Sequence, residues 1–320
     1  MPVASAVAAV GVATAMLLAS SGAPEVVLTL KDPALAESSG LAVSGRHPDV
    51  LWTNVDGGSV AQVIAVDSRG RSVATVTLPG IDPYDPEALA PSFPGSGRAE
   101  LYLGDIGDNR RSRPDVSVFR FPEPKSLRDT TVEPKWYRFT YPDGPHDAEA
   151  LLVGPGGRIM IATKAFSGGR LYRAPKKLMT ADQGVNKLTA LAEVPMLVTD
   201  GAYLPDGRFV LRTYGSVYVY DRPGHEVASD ELPLQPQGES VAADGDRLLV
   251  GSEGLDSEVL AVPIPGGATT ESPSADGTVT PADDADADEP IGLTSGDWWV
   301  IAGAVLLVGM AFLMMRRRRG

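Results

Sequence analysis

The chain has 320 residues, 43% hydrophobic and 22% charged, with a formal net charge of −13. That apolar content excludes a chain disordered throughout, and the absence of cysteine excludes disulfides, thiolate metal sites, iron–sulfur clusters and thiol nucleophiles. The acidic balance argues against a nucleic-acid-binding surface, and the three histidines, His47, His146 and His225, show no metal-ligand spacing.

The N-terminal 1–23 contain an uncharged apolar run over 3–19 followed by small residues, the pattern of a secretory signal without its basic start. Ala19 and Ser21 fit cleavage after residue 21; an uncleaved apolar helix is the alternative. Residues 24–265 then repeat one grammar five times. A small or acidic residue opens an apolar β-run, a turn rich in Gly, Pro and Asp follows, and two further β-runs come after it. The first runs are 39–43, 87–90, 149–153, 200–204 and 239–242, and the second runs are 50–54, 100–104, 158–162, 208–212 and 247–251. Third runs fall at 62–67, 116–120, 170–173, 216–220 and 258–262. Fourth runs at 73–78, 136–141, 188–194 and 227–234 complete the first four repeats. The fifth lacks one, but 26–30 at the other end of the chain matches it, which is what closing a ring requires. The sequence predicts an all-β, five-bladed β-propeller whose N-terminal strand closes the last blade. A six-bladed ring, with one blade hidden in 105–145, is the alternative.

Residues 266–297 hold eight acids and no lysine or arginine, the composition of an extended, disordered stalk. Next, 298–315 (WWVIAGAVLLVGMAFLMM) are 18 residues without a charge. As a helix they would span about 27 Å, close to the hydrocarbon thickness of a bilayer. Arg316, Arg317, Arg318 and Arg319 in the tail 316–320 predict a cytoplasmic C-terminus, placing the propeller outside the cell on a single-pass anchor. No LPxTG pentapeptide precedes the apolar stretch, so a cell-wall sorting signal is not expected.

In a propeller the first strand of each blade lines the axis, so equivalent residues meet there. Ser39, Glu87, Glu149, Asp200 and Glu239 share the opening position, with Glu37 able to stand in for Ser39. Carboxylates gathered there cannot all ionise unless a cation joins them, and calcium accepts several hard oxygens at flexible geometry. Acids at strand starts also cap turns, the structural alternative. Polar residues recur where the second strands end: Asn54, Asp56, Asp105, Asp108, Asn109, Arg110, Lys164, Arg212, Ser252 and Glu253. They define a candidate ligand-binding face beside the channel mouth. The 104–109 loop offers two carboxylates and a carbonyl to a cation, without EF-hand spacing. For hydrolysis, Asp56 would activate water, His146 would serve in acid–base work, calcium would polarise a phosphoryl oxygen, and Lys164 or Arg212 would hold the anion. No GxSxG, SxxK or Walker-type loop is present.

ESSGL (37–41), GDIGDNR (104–110), YPDGPHDAEALL (141–152), TDGAY (199–203) and QPQGESV (235–241) together resemble a family of actinobacterial secreted propellers of unassigned function. ESSGL followed by LWTNVD (51–56) also resembles the phytase-like (esterase-like) propellers. The Ser/Glu ring resembles that of the calcium-activated nucleotidases (apyrases). These resemblances imply an extracellular ligand- or partner-binding module with axial calcium, or a calcium-dependent phosphohydrolase.

Overall fold

A computed structural model describes residues 24–56 and 59–267. The expected signal segment 1–23, the stalk beyond 267, the 298–315 span and the basic tail lie outside the described residues, among which no helix is long and apolar enough to cross a membrane.

Strand β1 (Glu25–Thr29) opens the chain. Blade one is β2 (Ser38–Val43), β3 (Leu51–Val55), β4 (Ala61–Val66) and β5 (Ser72–Leu78). Blade two is β6 (Pro86–Pro91), β7 (Glu100–Asp105) and β8 (Val116–Pro122), then, after the two-residue β9 (Thr130–Thr131), β10 (Lys135–Thr140). Blade three is β11 (Ala148–Gly154), β12 (Arg158–Thr163) and β13 (Gly169–Arg173), then, after β14 (Asn186–Lys187), β15 (Thr189–Val194). Blade four is β16 (Val198–Tyr203), β17 (Phe209–Thr213), β18 (Ser216–Arg222) and β19 (His225–Glu231). Blade five is β20 (Gly238–Asp244), β21 (Arg247–Ser252) and β22 (Glu258–Pro263), with β1 antiparallel on β22 as its outer strand. Five blades are therefore present, closed by the N-terminal strand. The region 105–145 holds no sixth blade. Its length comes from the long connection from β8 to β10, which carries β9 across to pair in parallel with β5 of blade one. Blade three lends β14 to β10 of blade two in the same way.

The apolar runs are continuous rather than alternating because every blade is buried on both faces. Along β7, Leu101 and Leu103 pack between blades one and two, while Tyr102 between them faces blade three. Along β12, Ile159 and Ile161 serve the interface with blade two, and Met160 and Ala162 the interface with blade four. Five hydrophobic clusters result, one at each blade junction. The innermost strands β2, β6, β11, β16 and β20 neighbour one another in a closed cycle. They come close: a Cβ on Gly40 would lie 2.3 Å from the Leu89 backbone nitrogen, so only glycine fits there.

Candidate functional site

Each first–second strand pair carries a register shift near the start of its inner strand. It falls between Ser38 and Leu41, Pro86 and Ala88, Ala148 and Ala150, Val198 and Asp200, and Gly238 and Val241. A β-bulge re-aims the residues within it. The bulges set Ser39, Glu87, Glu149, Thr199 and Glu239 in equivalent positions. In blade four, therefore, the position assigned to Asp200 belongs to Thr199, and Asp200 lies one residue further on, paired with Arg212. Thr199 is buried, and its hydroxyl makes no hydrogen bond among the described residues. Asp200 does other work: its oxygens accept the amides of Gly201 at 2.7 Å and Val241 at 2.8 Å, fastening blade four to blade five. Burial raises its pKa well above the usual carboxylate range in spite of those amides.

The four remaining ring residues share one hub. Ser39 Oγ donates to the Glu87 carbonyl at 2.7 Å and to Glu87 Oε2 at 3.2 Å. Burial, then the charges of Glu149, Asp56 and Asp85, hold the Glu87 carboxyl well above its ordinary range. Glu149 receives the Lys164 ammonium on both oxygens at 2.6 Å, and the same ammonium lies 4.9 Å over the Tyr214 ring. Burial works against that ammonium, but Glu149 and then Glu239 overcome it and raise its pKa well above that of an ordinary lysine. Burial also raises Glu239, with Lys164 opposing. Below the ring the channel is apolar, lined by Leu41, Leu89, Leu151, Gly201 and Val241.

One residue past each second strand come Asp56, Ile106, Lys164, Tyr214 and Glu253, the rim of the mouth. Burial first, then the charges of Glu239, Asp56 and Glu37, pushes Glu253 up to about 8. The folded value lies above the unfolded value of about 4.3, so folding takes up a proton. The stability Glu253 contributes is whole below that unfolded value and is lost as pH rises through about 8. Thermal melts from about pH 6 to about pH 9 are expected to show a falling Tm that Glu253→Gln flattens. An unchanged slope in that variant would refute the assignment.

Several residues expected on the ligand face serve the scaffold instead. Asn54 is buried between blades one and two, accepting the Gly40 amide at 3.0 Å and donating to the Pro86 carbonyl at 2.6 Å. Arg212 occupies the equivalent position between blades four and five. It is fully buried and donates to the carbonyls of Ser240 at 2.5 Å and Gly251 at 2.7 Å and to Gln235 at 2.7 Å. Burial lowers its pKa to about 10. Lys164 is held by Glu149. The anion-holding roles given to Lys164 and Arg212 are therefore already filled from within the fold. Asp105 accepts the Asp85 amide and the Arg113 guanidinium, both at 2.9 Å, and Arg113 also donates to the Gly107 carbonyl at 2.7 Å. A guanidinium thus sits where the 104–109 loop was expected to offer a cation site. Asp108 holds the Arg113 amide at 2.8 Å and donates its own amide to Asp147 at 2.8 Å, while Asn109 reaches Asp85 at 3.4 Å. His146 is not brought to Asp56. It sits in a separate cluster with Asp143 at 3.1 Å, the Tyr172 hydroxyl at 3.0 Å and the Tyr141 ring.

The residue the sequence reading passed over is Asp85. Asp56, Asp85 and Glu87 can each turn a carboxylate oxygen so that all three lie within 4.8 Å of one another. The signal was positional: Asp85 stands two residues before Glu87, as Glu37 does before Ser39 and Asp147 before Glu149. The donors are all hard oxygens, without imidazole or sulfur. This set fits calcium.

No protein-family model and no curated protein matches the chain. Among solved structures it is similar to a luciferin-regenerating enzyme, at 12% identity and TM-score 0.46 over 72% of this chain and 78% of that one. It is similar to a gluconolactonase from Xanthomonas campestris at 14% identity and TM-score 0.45, over 71% and 73% of the two chains. It is also similar to the calcium-binding protein regucalcin from Agrobacterium tumefaciens, at 16% identity and TM-score 0.42, over 72% and 77%.

Proposed function

We propose that the protein is a binding module displayed outside the cell, which takes up calcium at the mouth of its propeller on Asp56, Asp85 and Glu87 and presents the surrounding loops to a ligand. The observation that carries this reading is the meeting of those three hard-oxygen donors within 4.8 Å, beside a hub in which the Lys164 ammonium is engaged by Glu149. A tether through 298–315, with the arginines 316–319 inside, is the topology the sequence favours. The likeness of its motifs to secreted propellers supports the same placement.

Calcium bound to the folded state alone stabilises it by about 2.7 kcal/mol at a hundredfold excess over Kd. For a propeller of this size that corresponds to a rise in Tm of roughly 5–10 °C. We expect that rise in the full-length protein, its reversal by EGTA and its loss in Glu87→Gln. No rise at millimolar calcium would end the cation reading. Calcium-dependent release of phosphate from nucleotides or phytate would replace the binding module with a hydrolase.

A further inference from the structure

The chain carries 28 lysines and arginines against 41 acids, yet between 173 and 187 the balance inverts. Arg173, Lys176, Lys177 and Lys187 stand there against Asp182 alone. These residues form the connection from β13 to β15 in blade three. The register sets Gly169 against Val194 and Arg173 against Thr189. Gly169 follows the rim residue Lys164, so the connection lies at the ends of these strands remote from the mouth. It is pinned in place. Asn186 Oδ1 accepts the Met179 amide at 2.8 Å, and its Nδ2 donates to the carbonyls of Met179 at 2.8 Å and Arg138 at 3.1 Å. The Ala181 amide donates to the Trp136 carbonyl at 2.8 Å. A fully satisfied network of this kind holds a loop in one shape.

The connection and β14 enclose an open groove of about 630 Å³, lined by Pro175, Lys177, Leu178, Met179, Gln183 and Lys187 with Asn186. Small-molecule sites span about 300–1,000 Å³. The side-chain polar groups left over in this groove are donors. Asn186 is fully engaged within the fold. Gln183 Oε1 accepts the Thr180 amide at 3.1 Å, while its Nε2 makes no hydrogen bond among the described residues. Lys177 and Lys187 are exposed and in no ion pair there. Asp182 accepts the Thr180 hydroxyl at 2.5 Å and pairs with neither lysine. Pro175, Leu178 and Met179 supply apolar wall, Met179 being 41% exposed. Ammonium groups donate and cannot accept, so such a lining selects an acceptor, and an ionised oxyanion is the acceptor it holds most strongly.

We propose that this groove is a second binding site, for a small molecule that carries a carboxylate or phosphate on an apolar body. The oxyanion lies between Lys177 and Lys187 with the Gln183 amide, and the body lies against Pro175, Leu178 and Met179. The lysines supply attraction and selectivity, and the covered apolar wall supplies the hold. The site is separate from the mouth, and the proposal does not rest on calcium.

The test uses the full chain in neutral detergent micelles with EGTA present, read by titration calorimetry against empty micelles. The probes are 2-naphthoate, 2-naphthyl phosphate and the neutral 2-naphthamide, with acetate and inorganic phosphate as heads without a body. At least one naphthyl anion is expected to bind roughly tenfold or more tightly than the amide and to weaken in high salt. The tighter of the two anions assigns the head group. The same anion is expected to bind roughly tenfold or more tightly than its bare head. Lys177→Gln combined with Lys187→Gln should abolish the preference over the amide, and Met179→Asp should weaken the anion roughly threefold or more. Lys31→Gln, elsewhere on the surface, should leave binding unchanged. All three substituted groove positions are exposed, so these variants should melt with the native protein. Equal binding of anion and amide, bare heads that bind as well as naphthyl anions, or indifference to the lysine pair overturns the proposal. So does a preference for tetraglutamate over both naphthyl anions, because an acidic peptide would then own the groove. If the anions fail while the calcium-induced rise in Tm persists, the second site falls and the calcium reading stands.

Discussion

Arg212→Met is expected to destabilise the propeller by about 3–5 kcal/mol, lowering Tm by roughly 10 °C. Methionine fills much of the same volume but donates nothing. The carbonyls of Ser240 and Gly251 and the Gln235 side chain would lose their donor inside the protein. Each buried acceptor left unsatisfied costs about 1–3 kcal/mol. Asp200 and Glu239 would also lose the nearest guanidinium charge. Lysine at this position can serve as a point charge but cannot fork across three acceptors, so Arg212→Lys should recover only part of the loss. Hydrogen exchange should place the damage in β20 and β21, whose amides would open before those of blade two. The contrast is Arg208→Ala on the opposite face. It breaks a partly exposed pair with Asp206 at 2.7 Å and should cost less than about 1 kcal/mol. If Arg212→Met melts within a degree or two of the native protein, the junction of blades four and five is held by something else.

The second large effect is expected at Lys164. Lys164→Met leaves Glu149 in the hub with no contacting cation and with Glu239 close by. Removing one partner of a buried pair costs about 3–5 kcal/mol. The pH dependence gives this prediction its signature. Burial already holds the Glu149 carboxyl above its unfolded value of about 4.3, and without the ammonium that opposes this it rises further. The folded variant then takes up a proton, so its penalty is greatest at alkaline pH and fades as the pH falls toward that unfolded value. The gap in Tm between the variant and the native protein should therefore narrow on acidification. Adding Glu149→Leu should close most of it at neutral pH, because the stranded charge is gone. A gap that stays constant with pH would show that Lys164 contributes packing rather than charge.

Much of the architecture was legible because blade burial is two-sided. Runs such as LLVG at 151–154 and RIMIA at 158–162 leave no polar stripe to face water, and the turns between them are marked by glycine and proline. The missing fourth strand of the last blade, found at the N-terminus, is a requirement of closure. The short parallel strands β9 and β14 were not legible, since two residues carry no period. The sixth-blade alternative arose from the chain that carries β9. Within the site, Ser39, Glu87, Glu149 and Glu239 were placed by repeat position. In VTDGAY, threonine and aspartate stand side by side. A one-residue shift in register decides which of them faces the axis.

The residues by themselves determined that this chain closes into a ring of two-faced sheets with acids at the openings of its inner strands. Apolar periodicity and turn chemistry act over a few residues and need no partner to be read. Which polar groups remain for chemistry was decided only by the assembled fold. Asn54 and Arg212 look like ligand residues until the carbonyls of the next blade are in place. Lys164 looks like an anion holder until Glu149 lies 2.6 Å away. Asp85 becomes a third donor only where blade one meets blade two. Charge and hydrogen-bond partnership are set by neighbours distant along the chain, and local pattern does not carry that information.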